Sequence, residues 1–163
     1  MASYAKFDVW QNTAGITRQS VIQAVQMTTT NRVSTTSSTF TDAAGYSATI
    51  TPNFSTSKIL VLATLYHGCP VNYAIWFKLL RDSTPIAEAV GYHGAGSNSV
   101  YTTLCSPINY LDSPNTTNPV NYKIQFRSDG SGNTVVLGGA NNNAYTSGTS
   151  LNNNTIVLLE IAS

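Results

Sequence analysis

Charge is the first thing this 163-residue chain lacks. Asp, Glu, Lys and Arg supply 9% of the residues, where an ordinary soluble domain carries about 25%. The net charge is +1. No broad electrostatic pull toward nucleic acid or an anionic membrane follows from that, and neither is expected as a partner. Histidine and cysteine are scarce too, at two each. Cys69 and Cys105 allow one bridge at most, which excludes a disulfide scaffold. In a reducing compartment they read as free thiols used as small hydrophobes. No apolar run is long enough to cross a bilayer. The opening Met-Ala-Ser-Tyr-Ala-Lys-Phe-Asp holds no apolar segment of signal-peptide length. Membrane insertion and secretion are therefore not expected, and a cytoplasm is the expected place of synthesis. No stretch reads as a capped amphipathic helix, and no repeat with a period of about 20–50 residues is present.

These scarcities narrow the chemistry. A nucleophilic site needs a base beside the nucleophile and a third group to orient that base. His67 and His93 each stand near glycines and outside any such signature, and they read as loop or rim residues. His67-Gly68-Cys69 offers a pair of metal ligands, where structural zinc takes about four. Asp42, Asp82, Asp112 and Asp129 fall in turn signals, where aspartate caps its own backbone. Gly130-Ser131-Gly132 lacks the lysine and helix of a phosphate cradle. No catalytic residue, cofactor or metal site is assigned, and no enzyme activity is expected.

What stands in place of charge is Ser, Thr, Asn and Gly, beside 42% hydrophobic residues. That composition excludes a disordered chain. It describes a polar, weakly charged surface suited to closely packed assemblies. A chain of this length forms about one domain and buries roughly 68–70% of its unfolded surface without staples. Strand signals run along it. Residues 21–28 alternate, and Lys58–Tyr66 (KILVLATLY) is a buried run. Ala74–Arg81 sets Ile75, Phe77 and Leu79 against Trp76, Lys78 and Leu80. Asn121–Arg127 sets Tyr122, Ile124 and Phe126 against Lys123, Gln125 and Arg127. Asp42-Ala43-Ala44-Gly45 and Asp82-Ser83-Thr84-Pro85 read as turns, and 138–154 as a low-complexity loop. About eight to ten such strands predict an all-β, antiparallel β-sandwich or jelly roll over residues 21–163.

Two ends of the chain point outward from that domain. Residues 1–20 crowd Tyr4, Phe7, Val9 and Trp10 around Lys6 and Asp8, too few for a core and too apolar for solvent. They either fold back on their own domain or form an extended arm that docks on another subunit. The last run, Thr155-Ile156-Val157-Leu158-Leu159-Glu160-Ile161, is so apolar that it belongs in mid-sheet, covered on both faces. One face is Ile156, Leu158 and Glu160; the other is Val157, Leu159 and Ile161. The first is expected to meet partner subunits. Glu160 either emerges at the strand end or meets a basic residue such as Arg81 or Arg127. Tyrosine occurs nine times. Tyr92, Tyr101 and Tyr145 lie in or near Gly/Ser/Asn loops, a composition that contacts sugars adaptably. The plainer reading of the three is sandwich-rim tyrosines.

Several stretches together resemble a family of small phage virion proteins, which serve as head-decoration (cement) proteins and fibre-tip domains. They are 9–15 (VWQNTAG), 21–26 (VIQAVQ), 77–86 (FKLLRDSTPI), 110–114 (YLDSP), 122–127 (YKIQFR) and 155–161 (TIVLLEI). The resemblance spans nearly the whole chain and marks no catalytic residue. It implies a homotrimeric jelly roll of the tumour-necrosis-factor type standing on a virion. On this reading the chain decorates the capsid. Its N-terminal arm (Tyr4, Phe7, Val9, Trp10) is the docking element, and the major capsid protein or another virion protein is its partner. The alternative is a tail- or head-fibre tip that recognises host surface glycans through Tyr92, Tyr101 and Tyr145.

Overall fold

The computed structural model describes residues 10–11, 17–18, 20–93, 103–130, 132–140 and 152–162. Its regular elements are all strands: β1 (Trp10–Gln11), β2 (Thr17–Arg18), β3 (Val21–Thr29), β4 (Val33–Thr35), β5 (Thr41–Ile50), β6 (Lys58–Gly68), β7 (Ala74–Arg81), β8 (Thr84–Tyr92), β9 (Leu104–Asp112), β10 (Val120–Ser128), β11 (Val135–Leu137) and β12 (Asn154–Ile161).

Two antiparallel sheets stack face to face. The smaller runs β5-β10-β7-β8; the larger runs β3-β12-β6, with β9 on the far side of β6 and the short β11 and β4 extending one end. Counted along the chain, the eight longest strands lie first-eighth-third-sixth in one sheet and second-seventh-fourth-fifth in the other. That order is the double Greek key of a jelly roll. The inner faces supply the core: Ile59, Val61, Leu65, Ile156 and Leu158 from the large sheet meet Tyr46, Ile75, Phe77, Leu79, Tyr122, Ile124 and Phe126 from the small one.

The cleanest alternations fold as their period demands. In β7, Ile75, Phe77 and Leu79 are wholly buried while Trp76 and Lys78 face out. Leu80 is buried too, but outside the core cluster: it keeps the outward parity of Lys78, opposite Lys123 of β10, where the pairing with β8 shifts register by one extra β8 residue. The expected turn at Asp42–Gly45 is not a chain reversal: it lies within β5. Its pairing with β10 jumps between Lys123↔Ser47 and Gln125↔Asp42, so the turn residues form a bulge. Gly45 takes a φ of 83° there, a conformation that favours glycine. Pro107 sits within β9, whose ladder is to β6, and edge strands tolerate proline.

Candidate interaction surfaces

The outer face of the large sheet is laid out by its registers. One row crosses the four strands as Ala24, Leu159, Leu60 and Leu111; the next as Gln26, Val157, Leu62 and Asn109; the third as Thr28, Thr155, Thr64 and Pro107. Apolar residues therefore gather toward the end where β12 finishes, and threonines toward the other. Ile161 pairs with Lys58 and Val21 beside that apolar end. The central leucines and Val157 are half-buried by their neighbours, while Val21 and Leu111 stand 57% and 48% exposed. No second layer within the described residues covers this band.

Three residues expected at a subunit interface lie elsewhere. Ile156, Leu158 and Glu160 are fully buried inside the chain's own sandwich, so they offer nothing to a neighbour. Side chains in a strand alternate faces, and it is Val157, Leu159 and Ile161 that look outward. Glu160 neither emerges nor pairs with an arginine. Its carboxylate accepts from Asn53 N (2.7 Å), Asn53 Nδ2 (2.7 Å) and Phe54 N (3.4 Å), pinning the loop that follows β5. Backbone and amide donors let a buried carboxylate stay satisfied without a cation.

Of the expected arm, Tyr4, Phe7 and Val9 lie outside the described residues. Trp10 pairs through its backbone with Arg18, and Gln11 with Thr17, so β1 and β2 lie antiparallel to each other. Tyr101 and Tyr145 also lie outside the described residues. Tyr92 is 58% exposed at the end of β8, on the outer face of the small sheet, where it pairs with Ala74.

Of the titratable groups read as loop or turn residues, His67, His93 and Asp112 are interior, while Asp42, Asp82 and Asp129 are exposed. His67 is fully buried, with its ring edge-on to Phe77 and Nε2 2.9 Å from Ser106 Oγ. Its Nδ1 is buried without a partner, and burial pushes its pKa down to about 4. A Cβ on Gly91 would collide with that ring, so glycine there makes the room. His93 is buried too, with Nδ1 3.1 Å from Cys69 O. Cys69 is buried and Cys105 exposed, both free thiols; burial pushes the Cys69 thiol up. Asp112 is buried at the end of β9, accepting from Arg81 Nη1 at 2.9 Å and from Tyr122 Oη at 2.7 Å. That triad ties β7, β9 and β10 together, and both of its charges are committed within the fold. Asp82 stands in the turn between β7 and β8, but its carboxylate accepts from Asn121 N at the start of β10, 39 positions away, rather than from its own turn. Among the described residues no group of three or more His, Cys, Asp or Glu could hold a metal ion, and no helix is long and apolar enough to cross a membrane.

No family model and no curated protein matches the chain. Among solved structures it is similar to the VP2 subviral particle of infectious bursal disease virus, at 15% identity over 88% of this chain and 39% of that one, with a TM-score of 0.43. The structures of the Gx and Gt strains of the same virus are each 13% identical over 99% of this chain. They are covered over 44% and 42% of their own chains, with TM-scores of 0.44 and 0.45. The chain thus spans about two fifths of the length of these proteins, and nothing about its role is carried over from them.

Proposed function

We propose that the chain is a structural protein of a phage particle. It assembles as a homotrimer through the outer face of its large sheet and decorates the capsid, held there by Tyr4, Phe7, Val9 and Trp10. The observation that carries this reading is the uncovered apolar band of Leu60, Leu62, Leu111, Val157 and Leu159. A contiguous apolar patch of this kind marks a site of association, and its core is free of charge, as protein interfaces are. The low overall charge lets many copies stand close together, and the virion-protein resemblance of the sequence supports the same role. The partner is the major capsid protein or another virion protein, met after synthesis in the host cytoplasm. The role involves no turnover, which screening against glycan, ester and peptide substrates would test. Attachment is tested by co-sedimentation with particles stripped of the native protein. The full chain should pellet with them, and Trp10→Ala should weaken the association, since buried aromatics dominate interface energies at about 2 kcal/mol or more each. Unchanged pelleting of that variant would rule Trp10 out as an anchor. A second reading, a fibre tip that binds host glycans, is favoured by one feature: the exposed Tyr92 on the opposite outer face.

A further inference from the structure

The outer face of the small sheet differs in kind from that of the large one. Across it, Trp76 of β7 stands between Val90 of β8 and Arg127 of β10, and Lys78 between Glu88 and Gln125, with Asp42 of β5 beyond. Tyr92 continues the Val90 side of this face. The side chains form a ladder. The Arg127 guanidinium lies 5.0 Å from the Trp76 ring and 5.2 Å from the Phe40 ring, and Lys78 Nζ sits 4.0 Å over Phe40. Two of the three cations here are neutralised, Lys78 by Glu88 at 3.1 Å and Lys123 by Asp42 at 2.9 Å. Gln125 Nε2 also donates to Asp42, so that carboxylate is spoken for. Arg127 is different. Among the described residues it meets no carboxylate, and its one hydrogen bond is from Nη1 to Ser128 O.

We propose that this face binds an acidic polysaccharide, a chain of sugars bearing carboxylates. A guanidinium flanked by rings is oriented by them, and its remaining N–H groups are aimed along its plane, the geometry that takes a carboxylate in a fork. The apolar C–H faces of sugar rings pack on exposed aromatic planes, and Tyr92, 58% exposed, offers one. The face is a pleated sheet surface, which suits an extended polymer laid across it. A protein partner suits it less: charged residues are depleted at the cores of protein interfaces, and here Lys78, Arg127, Lys123, Glu88 and Asp42 occupy the middle. This names the ligand class for the second reading above, and because binding is measured on the free protein, it can fail or hold independently of attachment to a particle.

The test is calorimetric titration of the full chain with an oligogalacturonate and with its fully methyl-esterified form. The acid form should bind at least tenfold more tightly than the ester. Arg127→Gln should remove that preference while leaving the melting temperature close to that of the parent. Tyr92→Ala, at an exposed position, should weaken the acid and ester forms by similar factors. Equal affinity for acid and ester, no binding of either form by folded protein, or an Arg127→Gln variant that keeps the preference would each overturn the proposal. So would poly-glutamate displacing the oligosaccharide at equal carboxylate concentration, since the face would then be reading acidic peptide.

Discussion

Acid should loosen this fold at one histidine. His67 is wholly buried between the sheets, and its Nδ1 has no partner, so a proton added there finds no acceptor. Burial therefore holds its pKa at about 4, against the usual 6.5. The folded pKa is the lower one, so the unfolded chain takes up the proton first as pH falls. Stability contributed by the neutral ring is fully present above about pH 6.5 and drains away down to about pH 4. At ~1.4 kcal/mol per pH unit the whole loss is about 3 kcal/mol, a large share of the roughly 5–15 kcal/mol that holds a typical domain together. Asp42 does not confuse this window. Its hydrogen bonds from Lys123 and then Gln125 hold it below the ordinary carboxylate range, so its contribution is lost only as pH falls further. The assay is denaturant unfolding of the parent and of His67→Gln at half-unit steps from about pH 7.5 to about pH 4, which spans both pKa values. Glutamine keeps a polar partner for Ser106 and removes the titration. The parent's unfolding free energy should fall across the window relative to the variant's, by about 3 kcal/mol in all. Parallel profiles for the two proteins would refute the reasoning and mean that the ring is reached by water or by an acceptor.

Three further outcomes follow from buried contacts. Glu160→Ala should destabilise the fold by roughly 3 kcal/mol, because it strips a charged acceptor from Asn53 and Phe54 and leaves their donors unanswered; a loss under about 1 kcal/mol in denaturant titration would show that water reaches the loop. Tyr122→Phe removes one hydrogen bond to the buried Asp112 carboxylate and should cost about 1.5–3 kcal/mol by the same measurement, with no loss meaning that Arg81 alone satisfies the acid. Thiol titration of the native protein should label Cys105 quickly and Cys69 only after denaturation, since the first is exposed and the second buried with its thiol pushed up; two fast thiols would contradict that placement.

The parts of the fold that alternate strictly are legible in the sequence. Ala74–Arg81 is a strand over the range its pattern marks, with Ile75, Phe77 and Leu79 inward, because every second residue is large and apolar. The final strand does lie mid-sheet, between β3 and β6, as its apolar run requires. Which of its faces looks outward is not legible. Both faces are apolar, and the charge of Glu160 points to the wetter side; the donors that bury it come from Asn53 and Phe54, 107 and 106 positions away in the chain. Distant partners explain the other misplacements as well. Asp112 reads as a turn residue until Arg81 and Tyr122 close on it. His67 reads as a rim residue until Gly91, on a strand of the other sheet, makes room for its ring. The Trp76–Arg127–Phe40–Lys78 ladder leaves a weak signal: Trp76, Lys78 and Arg127 are the non-core positions of two amphipathic strands, but their neighbourhood depends on the β7–β10 register, which spacing alone does not set.

The central claim is that copies of this chain meet through the apolar outer face of the large sheet. Light scattering after size exclusion measures it most directly, on the parent and on Leu62→Arg, which places a charge in the middle of that face. At micromolar concentration the parent is expected at three times the 17.4 kDa chain mass, and the variant at the chain mass with its β signature and cooperative melt retained. A parent that elutes as a monomer, or a Leu62→Arg protein that remains trimeric, would contradict the account.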